Sequence, residues 1–165
     1  MKHIISILSV ICLLFSLSAC AENVNMQELA AYQSDDFSAE AIIILGGESY
    51  KTEIEKRGEK LAFRFREPQK LAAFSFIFTE DGASLATGGT EIPIYENSFF
   101  KFSALRALFC VPTDGAWKIQ RESPGGVDVY VCKNGGTVLY IDANSHTPLK
   151  IYVQGVTADI LRFTK

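Results

Sequence analysis

Residues 60–82, KLAFRFREPQKLAAFSFIFTEDG, decide the fold. Leu61, Phe63 and Phe65 alternate with Ala62, Arg64 and Arg66, so at a period of two one face is apolar and the other mixed. Beyond Pro68 the pattern returns, with Phe74, Phe76 and Phe78 set against the small Ala73 and Ser75, until Asp81-Gly82 marks a turn. Strands at roughly ten-residue spacing leave room for hairpins but none for crossover helices, so an antiparallel meander is predicted.

The same period extends in both directions. Upstream lie AEAIIILGG (39–47) and SYKTEIEKRG (49–58), and downstream a weaker EIPIYE (91–96). After residue 110 the alternation resumes in WKIQRE, GVDVYVCKN, TVLYIDAN, PLKIYVQG and ADILRFT, separated by Pro124-Gly125-Gly126, Asn134-Gly135-Gly136 and Asn144 to Pro148. Asn134-Gly135 is a hairpin signal, because both central positions of such a turn need positive φ. About ten antiparallel strands are therefore expected.

Two segments break the alternation. NSFFKFSALRALFC (97–110) places Phe99, Phe102, Leu105 and Phe109 on one helical stripe that ends before Pro112 and Gly115. NMQELAAY (25–32) reads as a short helix capped by Asn25, with Glu28 three residues on. Strict alternation puts Val127, Val129, Val131, Leu139, Ile141, Leu149, Ile151 and Val153 on the apolar side, and Tyr130, Tyr140 and Tyr152 opposite. Fully burying a phenylalanine is worth roughly 1.5–3 kcal/mol. Either the 97–110 helix closes the aromatic face or a cavity remains there for an apolar guest.

Composition bounds the function. The chain has 165 residues, 48% of them apolar, with 16 Lys+Arg against 19 Asp+Glu. That suits one domain with a real core. The acidic balance and the absence of a basic stripe argue against a nucleic-acid partner. Much of the apolarity sits in MKHIISILSVICLLFSLSAC, where Lys2 and His3 precede an apolar run too short for a comfortable bilayer crossing. Residues 1–19 read as a signal peptide. Leu17-Ser18-Ala19-Cys20 resembles the lipobox of bacterial lipoproteins, which implies a diacylglycerol on the Cys20 thiol and cleavage before it. The other reading is a plain secretory signal or an uncleaved anchor. Residues 20–36 would then carry the lipid, a polar tether and the short helix, and 37–165 the sheet domain.

No catalytic constellation emerges. A Ser-His-Asp or Cys-His site would need His146, the histidine left after cleavage, and it lies among turn formers. HExxH, GxSxG and Walker patterns are missing, and no metal-ligand spacing or cofactor motif is present. The expectation is a protein that is not an enzyme. Cys110 and Cys132 would reach an oxidising compartment, where a bridge closing their loop could contribute roughly 3 kcal/mol. Strict alternation puts Cys132 on the tyrosine side and Cys110 on the apolar side, so two buried thiols stand as the alternative.

The layout as a whole resembles the LolA/LolB superfamily of lipoprotein-localisation factors. The likeness rests on FSAEAIIILGGESYKTEIEKRGEKLAFRFREPQKL, the Phe-rich strand with EDG, the LRALF insertion and the tail YIDANSHTPLKIYVQGVTADILRF. It implies a mainly β fold, a curved antiparallel half-barrel left unclosed, with one or two helices capping a hydrophobic cavity. On that resemblance Phe63, Phe65, Phe74, Phe76, Phe78, Phe99, Phe102, Leu105 and Phe109 become candidate cavity lining for a lipid, an acyl chain or a lipoprotein. A lipobox departs from the soluble carrier, because a tethered protein cannot shuttle cargo. The chain is also similar to clostridial lipoproteins of this fold, one germination group of which binds a cell-wall amidase. The two expectations are a lipid-binding lipoprotein and a packed module that binds another envelope protein. Both place it in the cell envelope, on the outer face of the cytoplasmic membrane or on an outer membrane.

Overall fold

The structure, a computed structural model, describes residues 24–95 and 100–165. Residues 1–19, expected to be a signal peptide, and Cys20, Phe99 and the Phe102 side chain lie outside the described residues. The chain starts with α1 (Met26–Leu29), where Asn25 Oδ1 accepts the Glu28 N–H at 2.9 Å, as the Asn-x-x-Glu spacing predicts. A 3-10 turn over Ala31–Gln33 leads into β1 (Phe37–Leu45). Then come β2 (Glu48–Arg57), β3 (Lys60–Glu67), β4 (Phe74–Thr79), β5 (Gly82–Thr87) and β6 (Thr90–Ile94). Helix α2 (Phe100–Phe109) precedes β7 (Lys118–Glu122), β8 (Val129–Asn134), β9 (Thr137–Asp142), β10 (Pro148–Val153) and β11 (Val156–Thr164).

All eleven strands form one unclosed antiparallel sheet in the order β6-β5-β4-β3-β2-β1-β11-β10-β9-β8-β7. It is a mainly β fold with an antiparallel sheet left unclosed, as the resemblance implied. The strand beyond the expected ten is β5, GASLAT, whose small side chains carry little intrinsic β preference. Its pairing with β4 and β6 makes it a strand. The turn after β8 also differs from expectation: Asn134 stays in the ladder opposite Thr137, and Gly135, at φ 55°, takes the left-handed conformation beside Gly136.

The topology dictates where α2 goes. It must connect β6, at one edge of the sheet, to β7 at the other, so it crosses the apolar face, resting on β10 and β11. A series of rings in contact runs from the end of the helix across the sheet. Phe37 lies 4.9 Å from Phe163 and 5.4 Å from Phe109, which lies 6.0 Å from Phe63, itself 5.8 Å from Phe78. Tyr50, Phe65 and Phe76 continue the series at 5.5 and 5.7 Å.

Strand β8 corrects the face assignment. Tyr130 and Cys132 point into the main core, level with Ile141 and Leu139, while Val129 and Val131 take the opposite face and Val127 is exposed. Four consecutive residues, Val129 to Cys132, are all buried. When both faces of a strand are covered, hydrophobicity no longer reports its phase. Leu149 is displaced in a similar way, because the β9–β10 register shifts between Pro148 and Lys150.

Candidate functional site

Six of the described candidate lining residues fall in the packed core of the fold. Phe63, Phe65, Leu105 and Phe109 are fully buried, Phe76 and Phe78 nearly so, and Phe74 half-buried near the end of its strand. Leu105 and Phe109 come from α2, and the Phe109 ring meets Phe63, which meets Phe78, while Phe65 meets Phe76.

The described open volume lies on the other face of the sheet. A trough of about 620 Å³ crosses β11, β1, β2, β3, β4 and β5. Two consecutive ladder rows build its floor. One runs Thr164, Ser38, Glu55, Ala62, Ile77, and the next runs Arg162, Glu40, Glu53, Arg64, Ser75, Ala86. The sheet pleat puts these residues on the side away from the phenylalanines. A second hollow of about 260 Å³ adjoins it at Glu40, Lys51, Glu53, Arg66 and Glu67.

Charge in the trough is nearly all compensated. Arg162 pairs with Glu40 across the β1–β11 seam, Arg66 with Glu53 at 2.5 Å, Arg57 with Glu55 at 3.2 Å, and Lys60 with Glu91 at 3.3 Å. The hydrogen bond from Arg66 holds the Glu53 carboxyl below its ordinary value, and Arg64 and Arg162 add attraction. Glu53 stands opposite Arg64 in the ladder but accepts its hydrogen bond from Arg66. Among the described residues, Arg64 makes no hydrogen bond and no ion pair. Hydrophobic patterning did not single these residues out. The signal available was the Ala62-Arg64-Arg66 face itself, but the ladder that brings Arg162 beside Glu40 joins positions 122 residues apart.

The remaining candidates are dispersed. Cys110 and Cys132 are free thiols, with Cys110 exposed at the end of α2, contrary to its expected place on the apolar side. Burial pushes the Cys132 thiol up to about 11. His146 sits in the β9–β10 turn at φ 52°, its ring 6.1 Å from Tyr130. Ser145 Oγ donates to Asp142 at 2.9 Å and lies 2.7 Å from Thr147 Oγ1. Asp142 also accepts the N–H groups of Asn144 and Ser145, which with the Ser145 hydroxyl keep its carboxyl below the usual range. This is the geometry of an Asx turn, in which the carboxylate organises backbone, rather than a relay through histidine. Among the described residues no group of three or more His, Cys, Asp or Glu could hold a metal, and no helix is long and apolar enough to cross a membrane.

No family model matches the sequence, and no curated protein matches it. Solved structures do share its fold. MucB superposes at a TM-score of 0.55 with 11% identity over 88% of this chain, which spans 59% of the MucB chain. An uncharacterized conserved protein from Thermus thermophilus superposes at 0.54 with 12% identity, covering 85% of each chain. A LolA superfamily protein from Nitrosomonas europaea aligns at 0.43 with 11% identity over 86% of this chain and 93% of its own.

Proposed function

We propose that this protein is a non-catalytic envelope lipoprotein, held to the membrane through a lipid on Cys20, that works by binding another envelope protein. The observation that carries the reading is the distribution of space among the described residues: Phe37, Phe63 and Phe78 pack in one series with Phe109 of α2, and the open volume described is a charged trough on the reverse of the sheet. A lipid carrier needs an apolar pocket of several hundred Å³, whereas the trough is lined by Glu40, Glu53, Glu55, Lys60, Arg64 and Arg162. MucB, which shares this fold over 59% of its own chain, has been solved in complex with MucA, and that fact is in keeping with the reading.

Two measurements test the reading together. Cys20→Ser should move the protein from the membrane fraction to the soluble fraction and abolish incorporation of labelled palmitate. Native mass spectrometry of the full-length protein, extracted in mild detergent, should find a stoichiometric envelope protein and no co-purified lipid beyond the covalent acyl chains. A stoichiometric non-covalent lipid that is expelled by Leu105→Trp, which enlarges a buried side chain of α2, would instead establish the lipid-binding alternative at the phenylalanine face.

A further inference from the structure

We infer that the trough on the reverse of the sheet takes an extended segment of a partner polypeptide, about seven residues long, that places a carboxylate on Arg64. The inference rests on the protein-binding reading above and names the site and the chemistry of the partner.

The length follows from the fold. The trough spans six adjacent strands, and strands lie about 4.8 Å apart, so it is about 24 Å long, the reach of about seven extended residues. The charge follows from the pairing. Each carboxylate in the lining is already held by a guanidinium, and Lys60 and Arg162 are held by carboxylates, so Arg64 is the lining cation without an ion pair among the described residues. Arg64 stands near the middle of its row, with Glu53, Glu40 and Arg162 to one side and Ser75 and Ala86 to the other. A guanidinium presents a fork of donors that fits a carboxylate, and charge-assisted bonds of this type exceed neutral ones.

The row also orders the side chains of the segment. Towards β5 the floor is Ala62, Ile77, Ser75 and Ala86, small or apolar, which suits apolar side chains on that side of the acidic residue. Towards β11 the Glu40–Arg162 and Glu53–Arg66 pairs favour hydroxyls and amides that can share their hydrogen bonds. An acyl chain laid here would bury those charges with nothing to replace their water and would leave its own other side wet. A polypeptide supplies both.

The test uses full-length protein in detergent micelles and the blocked heptapeptide Ser-Thr-Ser-Glu-Val-Ala-Val, followed by NMR shift mapping. The expected result is shifts confined to the trough, from Arg162, Ser38 and Glu40 through Glu53 and Ala62 to Ser75, Ile77 and Ala86, with binding about tenfold weaker for the peptide carrying Gln in place of Glu. Arg64→Glu should abolish binding of the Glu peptide and restore binding to the Lys counterpart, with only a small fall in melting temperature, because Arg64 is exposed although it stands opposite Glu53. Equal binding of the Glu and Gln peptides, or binding unaffected by Arg64→Glu, would overturn the inference. So would phosphatidylglycerol vesicles shifting the trough residues when no peptide does. If a partner cross-links to another surface while the trough stays silent, the inference fails and the protein-binding function survives. A non-covalent lipid under α2 would remove the function itself.

Discussion

Phe109 stands between Phe37 of β1 and Phe63 of β3 and is fully buried, so a single ring couples the crossing helix to the first half of the sheet. Phe109→Ala should cost about 3–5 kcal/mol, read as a lower urea midpoint at unchanged slope. A loss under about 1 kcal/mol would mean that the core is looser than its ring contacts indicate. The two thiols make a second contrast at this scale. Cys110 is exposed, and Cys132 is buried with its ionisation pushed up to about 11. At pH 8 the thiolate is scarce at Cys132 and shielded, so iodoacetamide should label Cys110 in the native protein and Cys132 only after denaturation. Resistance of both, reversed by reductant, would mean that they are bridged instead. The phase of Leu61, Phe63 and Phe65 was legible because charges on the reverse face mark it. That of Tyr130 and Cys132 was not, since apolar neighbours fill both sides of β8.

Among the elements, the edges carry the risk. An open sheet leaves β6 and β7 with unpaired backbone groups that could recruit another chain. Strand β7 is KIQRE, with charge at Lys118, Arg121 and Glu122, and β6 carries Glu91 and Pro93, the latter without an N–H to offer. Ile92 nevertheless remains 49% exposed. Pro93→Val should therefore promote concentration-dependent self-association in light scattering coupled to gel filtration. A variant that stays monomeric at the highest soluble concentration would show that β6 is shielded by some other means. The helices were legible from their breaks in period, and α1 from its cap. Strand β5 was not, because GASLAT acquires its conformation from its two partners rather than from its own side chains.

For the whole molecule, the seam between β1 and β11 is decisive. The first six strands and the last five form two meanders that meet only there, reinforced by Arg162 with Glu40 and by Lys165 with Asp35 at 2.9 Å. Deleting residues 156–165 would expose β1 and β10 in the middle of the sheet, and the cooperative urea transition should be lost, as followed by far-UV circular dichroism. Retention of a sharp transition would mean that the halves fold independently. Meanders were readable from turns and alternation, but this closing pair was not, since its ladder joins Ser38 to Thr164 at opposite ends of the chain. The seam also sets an order of assembly. Each meander zips through hairpins between neighbours in sequence, and until the two dock each has an open inner border, at β1 in one and at β11 in the other. Docking of those two borders is therefore the long-range step that turns two half-sheets into one molecule.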